Sequence, residues 1–145
     1  MYKRILIPTD GSELSEMAIR QGVTLAKSLG AEVIGITVFP TFFAFAVEPL
    51  MITSTPEQHE KECAAAGQKY LAVVTEAARA AGVRCDVIYV LHDQPYAAII
   101  EAATARGCDL ICMASHGRKG VAALVLGSET TKVLTHSKIP VLVCR

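Results

Sequence analysis

The chain has 145 residues, of which 52% are hydrophobic, and its 14 basic and 14 acidic residues leave a formal net charge of zero. That length suits a single domain with a sizeable core, expected to occupy residues 1–145. The balanced charge lacks the basic footprint of a dedicated nucleic-acid binder. No apolar stretch is long enough for a membrane span: the longest, around residues 42–52, is broken by Glu48 and Pro49. The mean hydropathy of +0.39 is high and calls for a fully covered sheet or an apolar interface.

Taken in chain order, strand and helix signals alternate. No apolar signal core follows Met1, and a cytoplasmic location is expected. Ile5-Leu6-Ile7 is a continuous apolar run, the pattern of a strand buried on both faces. Ser12 is a good N-cap for a helix to about Leu29, with Leu14, Ala18, Gly22, Leu25 and Leu29 as its apolar stripe and Gly30 as its stop. Glu32 to Phe39 reads as the second strand, and an aromatic-rich connection covers residues 40–54.

Thr55, Pro56 and Gln58 form a helix-start signature. The helix they open is expected to reach Ala81 on a stripe of Cys63, Ala66, Tyr70, Val73, Ala77 and Ala81, with His59 and Glu60 on its solvated side. A strand over residues 84–91 follows, with His92 and Asp93 as candidate caps for a short helix from Pro95 to Arg106. Residues 109–113 form a fourth strand, residues 128–136 a last helix ending on His136, and residues 139–144 a closing strand. Such alternation predicts a doubly wound α/β domain with a parallel sheet, helices on both faces and ligands at the carboxyl ends of the strands. The five cysteines, at 63, 85, 108, 112 and 144, include no C-x-x-C pair and read as small buried thiols.

Two polar clusters fall at strand ends: Pro8-Thr9-Asp10-Gly11-Ser12, and the run from Ala114 through His116, Gly117, Arg118 and Lys119 to Gly120. Gly127-Ser128 closes the second cluster at the start of the last helix. A glycine-rich loop between strand and helix leaves N–H groups open to a phosphate, and two bases stand beside it. It is neither a P-loop, since no Gly-Lys-Ser/Thr closes it, nor a dinucleotide fingerprint. A glycine-rich surface loop with two solvated bases fits the local residues about as well.

Together, Ile5-Leu6-Ile7-Pro8-Thr9-Asp10-Gly11-Ser12, Met113-Ala114-Ser115-His116-Gly117-Arg118, Leu126-Gly127-Ser128 and Ile139-Pro140-Val141-Leu142-Val143 resemble the universal stress protein family over the whole chain. The resemblance implies a five-stranded parallel sheet in the order 3-2-1-4-5 and a homodimer joined through the C-terminal strand. It also implies a stress-response role, with protein partners that the residues do not name. A subgroup of the family binds ATP or AMP, with Mg or Mn a possible companion of ATP. The binders' signature is Gly, two residues, Gly, nine residues, Gly, then Ser or Thr. Here Gly117, Gly127 and Ser128 match it, and Ala114 stands in place of the first glycine.

Carried over residue by residue, the resemblance gives Asp10 to a ribose or a metal ion, and Pro8 and Thr9 to the adenine side. The backbone of Val38 would read the adenine edge. Met113, Ala114, His116, Gly117, Arg118, Gly127, Ser128, Glu129 and Thr130 would surround the sugar and phosphates. Several of these have a plainer reading: an Asx turn for Asp10, a core position for Val38, an N-cap for Ser128, a turn-fixing bond for His116. No nucleophile–base pair is evident. Slow ATP hydrolysis is the most that the residues allow, and a protein–protein module without nucleotide is the alternative that Ala114 favours.

Overall fold

The computed structural model describes residues 1–42, 55–117 and 125–145. Five strands form one sheet: β1 (Arg4–Pro8), β2 (Glu32–Phe39), β3 (Cys85–Leu91), β4 (Leu110–Ala114) and β5 (Val141–Cys144). All neighbours pair in parallel, and the strand order is β3-β2-β1-β4-β5, as expected from the resemblance. Among the described residues they are connected by the helices α1 (Glu13–Leu29), α2 (Pro56–Ala81), α3 (Pro95–Ala105) and α4 (Ser128–His136).

The helix ends follow the local chemistry. Ser12 Oγ accepts from the Ser15 N–H at 3.2 Å, and Thr55 Oγ1 from the Gln58 N–H at 3.1 Å. Gly30 and Gly82 close α1 and α2 with φ of 66° and 72°, a left-handed conformation that costs glycine little.

Side chains of the sheet alternate between two cores. Ile5, Ile7, Val33 and Cys112 pack with Ala18, Ile19 and Val23 of α1 and with Val74 and Ala78 of α2. Leu6, Ile34, Ile36, Ile111 and Met113 pack with Ile99 and Ala103 of α3 and Val133 of α4. Both faces of β1 and β4 are therefore covered, which explains their unbroken apolar runs.

The buried faces of α1 and α2 differ from the expected stripes by about one position. α1 buries Ser15, Ala18, Ile19, Gly22, Val23 and Ala26, while Leu29 is exposed. α2 buries His59, Cys63, Gly67, Leu71, Val74 and Ala78. Small residues lie at the closest approach to the sheet. A methyl group on Gly22 would stand 2.6 Å from Ile7 Cδ1, and one on Gly35 would stand 2.9 Å from Val74 Cγ1. The larger Leu14, Leu25, Val73 and Ala77 flank these contact lines.

His59 is a further correction. It is buried, 2% exposed, because its Nε2–H donates to the Pro40 carbonyl at 2.9 Å, while Cys63 Sγ lies beside the ring. Neither His92 nor Asp93 caps α3 in the expected way. His92 Nδ1 accepts from the Gln94 N–H, and Asp93 accepts from both the backbone and the hydroxyl of Thr41. His136 ends α4 as expected, with its ring 5.3 Å from that of Tyr96. All five cysteines are free, four of them buried.

Candidate functional site

The strand order places β1 and β4 side by side at the point where the chain reverses direction across the sheet. Ligand crevices in doubly wound folds open there. The two sequence clusters, 8–12 and 114–117, thus share one end of the sheet, and α4 begins beside them. Arg118, Lys119 and Gly120 lie outside the described residues.

The loop after β1 is built by its own side chains. The Ser12 N–H donates to Asp10 Oδ1 at 3.0 Å, an Asx turn that fixes the carboxylate. Thr9 is buried; its Oγ1 accepts from the Gly11 N–H at 3.2 Å and lies 3.1 Å from Ser15 Oγ. The Thr9 hydroxyl therefore serves the start of α1, and Ser15 is a supporting residue that no local pattern marks. Gly11 has φ 78°, and a methyl there would overlap the Tyr70 ring of α2.

The loop after β4 closes against the first. A methyl built on Gly117 would come within 2.4 Å of Asp10 Oδ2. The φ of Gly117 does not lie in the left-handed region, so the glycine is needed for space rather than for backbone freedom. Gly127 repeats this logic. Its φ is −62°, its N–H donates to the Ser115 carbonyl at 2.7 Å, and a methyl would meet His116 Cα at 2.9 Å. Both motif glycines thus let parts of the protein approach one another. The His116 ring fixes the turn locally, with Nδ1 3.2 Å from Ser115 Oγ.

Gly127, not Ser128, is the N-cap of α4, and Ser128 is the first helical residue. A glycine cap offers no side-chain acceptor to the N–H groups of the first turn, which favour an anion. The Thr130 hydroxyl is committed to the Ala114 carbonyl at 2.9 Å, so it anchors the helix to β4. The Glu129 carboxylate turns toward α3, where it accepts from the Tyr96 N–H at 2.9 Å.

Of the other expected residues, Pro8 ends β1, and Val38 lies near the end of β2, packed against the α3–α4 core. The Met113 side chain is buried in that same core. Ala114 ends β4 with negative φ, and its methyl belongs to the core under α1 and α2. A separate pocket of about 200 Å³ lies between α1 and α2, lined by Thr9, Gly11, Glu16, Lys69, Tyr70 and Val73. Of the expected residues it includes Thr9 alone. Among the described residues no group of three or more His, Cys, Asp or Glu could hold a metal ion, and no helix is long and apolar enough to cross a membrane.

A doubly wound parallel sheet with β1 and β4 adjacent at its switch point and a glycine-capped helix starting beside them defines a class of small α/β domains suited to anionic ligands. The comparisons identify the family. The profile of the Universal stress protein family matches residues 1–145, and the chain belongs to that family. Universal stress protein MJ0577 of Methanocaldococcus jannaschii is 30% identical, with 100% of this chain and 96% of the relative aligned. The solved structure of MJ0577 superposes with a TM-score of 0.77 at 32% identity, covering 99% of this chain and 96% of that one. A universal stress protein in complex with cAMP, 23% identical, superposes with a TM-score of 0.68 over 99% of this chain and 97% of its own. The Archaeoglobus fulgidus protein in complex with dAMP, 16% identical, gives 0.70 over 99% and 98%.

Proposed function

We propose that the crevice between the ends of β1 and β4 binds an adenine nucleotide, ATP or AMP, and that nucleotide-dependent conformation or partner choice carries a stress-response role in the cytoplasm. The observation that carries this reading is the convergence of the Asp10 loop, the Gly117 loop and the glycine-capped start of α4 on one end of the sheet. The cAMP and dAMP complexes of related folds support an adenine nucleotide as the ligand class.

Phosphates would meet the first-turn N–H groups of α4, a ribose would lie near Asp10, and the adenine edge would face the backbone of Val38. One oxygen of Asp10 already accepts a backbone N–H. A Mg or Mn ion accompanying ATP would therefore be held chiefly by the phosphates, with the second oxygen of Asp10 as a protein ligand. Such an ion would supply charge neutralisation at the phosphates. The mode proposed is binding, with slow ATP hydrolysis as the upper limit of chemistry. The homodimer forms through β5, the edge strand next to β4.

The alternative of a nucleotide-free interaction module drew on Ala114. With the Ala114 methyl in the core under α1 and α2, the substitution does not crowd the crevice, and this supports the binding reading. Denaturing the purified protein and identifying any released nucleotide by mass spectrometry is the direct test, followed by thermal melts. A ligand at ~100 times its dissociation constant stabilises by about 2.7 kcal/mol if it binds only the folded state. An empty preparation whose melting is unmoved by millimolar ATP-Mg, ADP, AMP or cAMP refutes the reading.

A further inference from the structure

The arrangement that the site reading leaves unexplained joins the two short helices. Pro95 opens α3, and its N-cap, Gln94, makes no side-chain cap bond. The next N–H, that of Tyr96, has no partner within its own helix. It donates instead to Glu129 Oε2 at 2.9 Å, on the first turn of α4 and 33 residues away. Glu129 Oε1 receives Lys132 Nζ at 3.2 Å, and Lys132 stands 5.6 Å from the centre of the Tyr96 ring. That ring in turn lies 5.3 Å from the ring of His136 at the other end of α4.

A carboxylate in a first turn ordinarily interacts with the donors of its own helix terminus. At α4 it would compete with an incoming phosphate. Here both of its oxygens are engaged elsewhere. On the opposite side, the Thr130 hydroxyl holds the Ala114 carbonyl and the Gly127 N–H holds that of Ser115. A helix of 9 residues has little stability of its own, so these attachments determine where its first turn points.

We propose that Glu129 is a positioning residue. Its carboxylate caps α3 from α4, fixes the orientation of the α4 first turn, and keeps its own charge off the phosphate seat. This role rests on the adenine-nucleotide reading.

The test uses the parent, Glu129→Ala and Glu129→Gln. Amide hydrogen exchange at Tyr96 is followed without ligand, and AMP affinity is measured by calorimetry. Glu129→Ala is expected to speed exchange at Tyr96 by about tenfold and to weaken AMP binding by about tenfold. Glu129→Gln keeps an acceptor oxygen and is expected to restore both. Unchanged exchange at Tyr96 in Glu129→Ala overturns the proposal. Faster exchange with parent-like AMP affinity also overturns it, because Glu129 is then a cap and nothing more. A parent that binds neither AMP nor ATP overturns the nucleotide reading and the positioning role with it. Ligand-free exchange at Tyr96 distinguishes that outcome from failure of the contact itself.

Discussion

Replacing Gly117 with alanine tests why the loop after β4 needs a glycine. The new methyl would stand 2.4 Å from Asp10 Oδ2 and 3.5 Å from its Cγ. Because the φ of Gly117 is not in the left-handed region, alanine meets no backbone penalty, and the cost arises at Asp10. The carboxylate cannot simply swing away, since its Oδ1 accepts the Ser12 N–H at 3.0 Å. Either that bond breaks or the loop moves, and crowding of this kind costs about 1–3 kcal/mol.

The same substitution in an Asp10→Ala background removes the obstructing oxygen. Its cost there should fall to within about 0.5 kcal/mol, the usual range of a surface change. Urea unfolding of the parent, the two single variants and the double variant supplies the cycle, with a coupling of about 1–2 kcal/mol expected between the sites. AMP calorimetry on the same four proteins reads the crevice. Equal cost of Gly117→Ala in both backgrounds would refute the argument. Unchanged stability with binding lost in both would show that the glycine makes room for the ligand rather than for Asp10.

Ala114→Gly should leave AMP affinity unchanged and reduce stability by about 0.5–1 kcal/mol, the usual penalty of glycine within a strand; a clear change in affinity by calorimetry would place the methyl in the crevice after all. The backbone groups of Pro140, Leu142 and Cys144 face β4, so Val143, whose N–H points to the open edge of β5, is the position at which to test the dimer. Sedimentation of the parent should give a dimer and Val143→Pro a folded monomer, because proline there removes an outward donor that pairing with a second strand needs while leaving the ladder to β4 intact; a monomeric parent, or an equally dimeric folded variant, defeats the β5 interface. Burial pushes the Cys108 thiol up to about 11 from 9.0. A folded-state value above the unfolded one means that its contribution is complete below pH 9 and is lost as pH rises toward 11, by roughly 2 kcal/mol. Unfolding at a series of alkaline pH values should show a shallower decline in Cys108→Ala than in the parent, and identical declines would contradict the burial argument.

Much of the scaffold is local and was legible in the residues. Apolar runs at Ile5-Leu6-Ile7 and residues 110–113, the caps Ser12 and Thr55, and the stops Gly30 and Gly82 determined the element order and the parallel α/β class. They do so because caps, turns and periodicity act over a few residues. The strand order came from resemblance, and the structure agrees with it.

Tertiary packing decided the rest. Which stripe of α1 and α2 met the sheet depended on fit. Gly22 and Gly67 lie where helix and sheet come closest, so bulkier apolar neighbours were displaced to the flanks and hydrophobicity alone misplaced the face. The helical pattern alone puts His59 on the surface, because the carbonyl that holds it belongs to Pro40, outside the helix. At the ends of β1 and β4, residue types marked the segments but not what their side chains do. Thr130 binds the end of β4, Glu129 caps another helix, and the carboxylate of Asp10 fills the space left by Gly117. Those pairs lie far apart along the chain and meet only through packing, with β1 beside β4 for Asp10 and Gly117, α3 against α4 for Glu129, and α4 against the end of β4 for Thr130, which no local periodicity can encode.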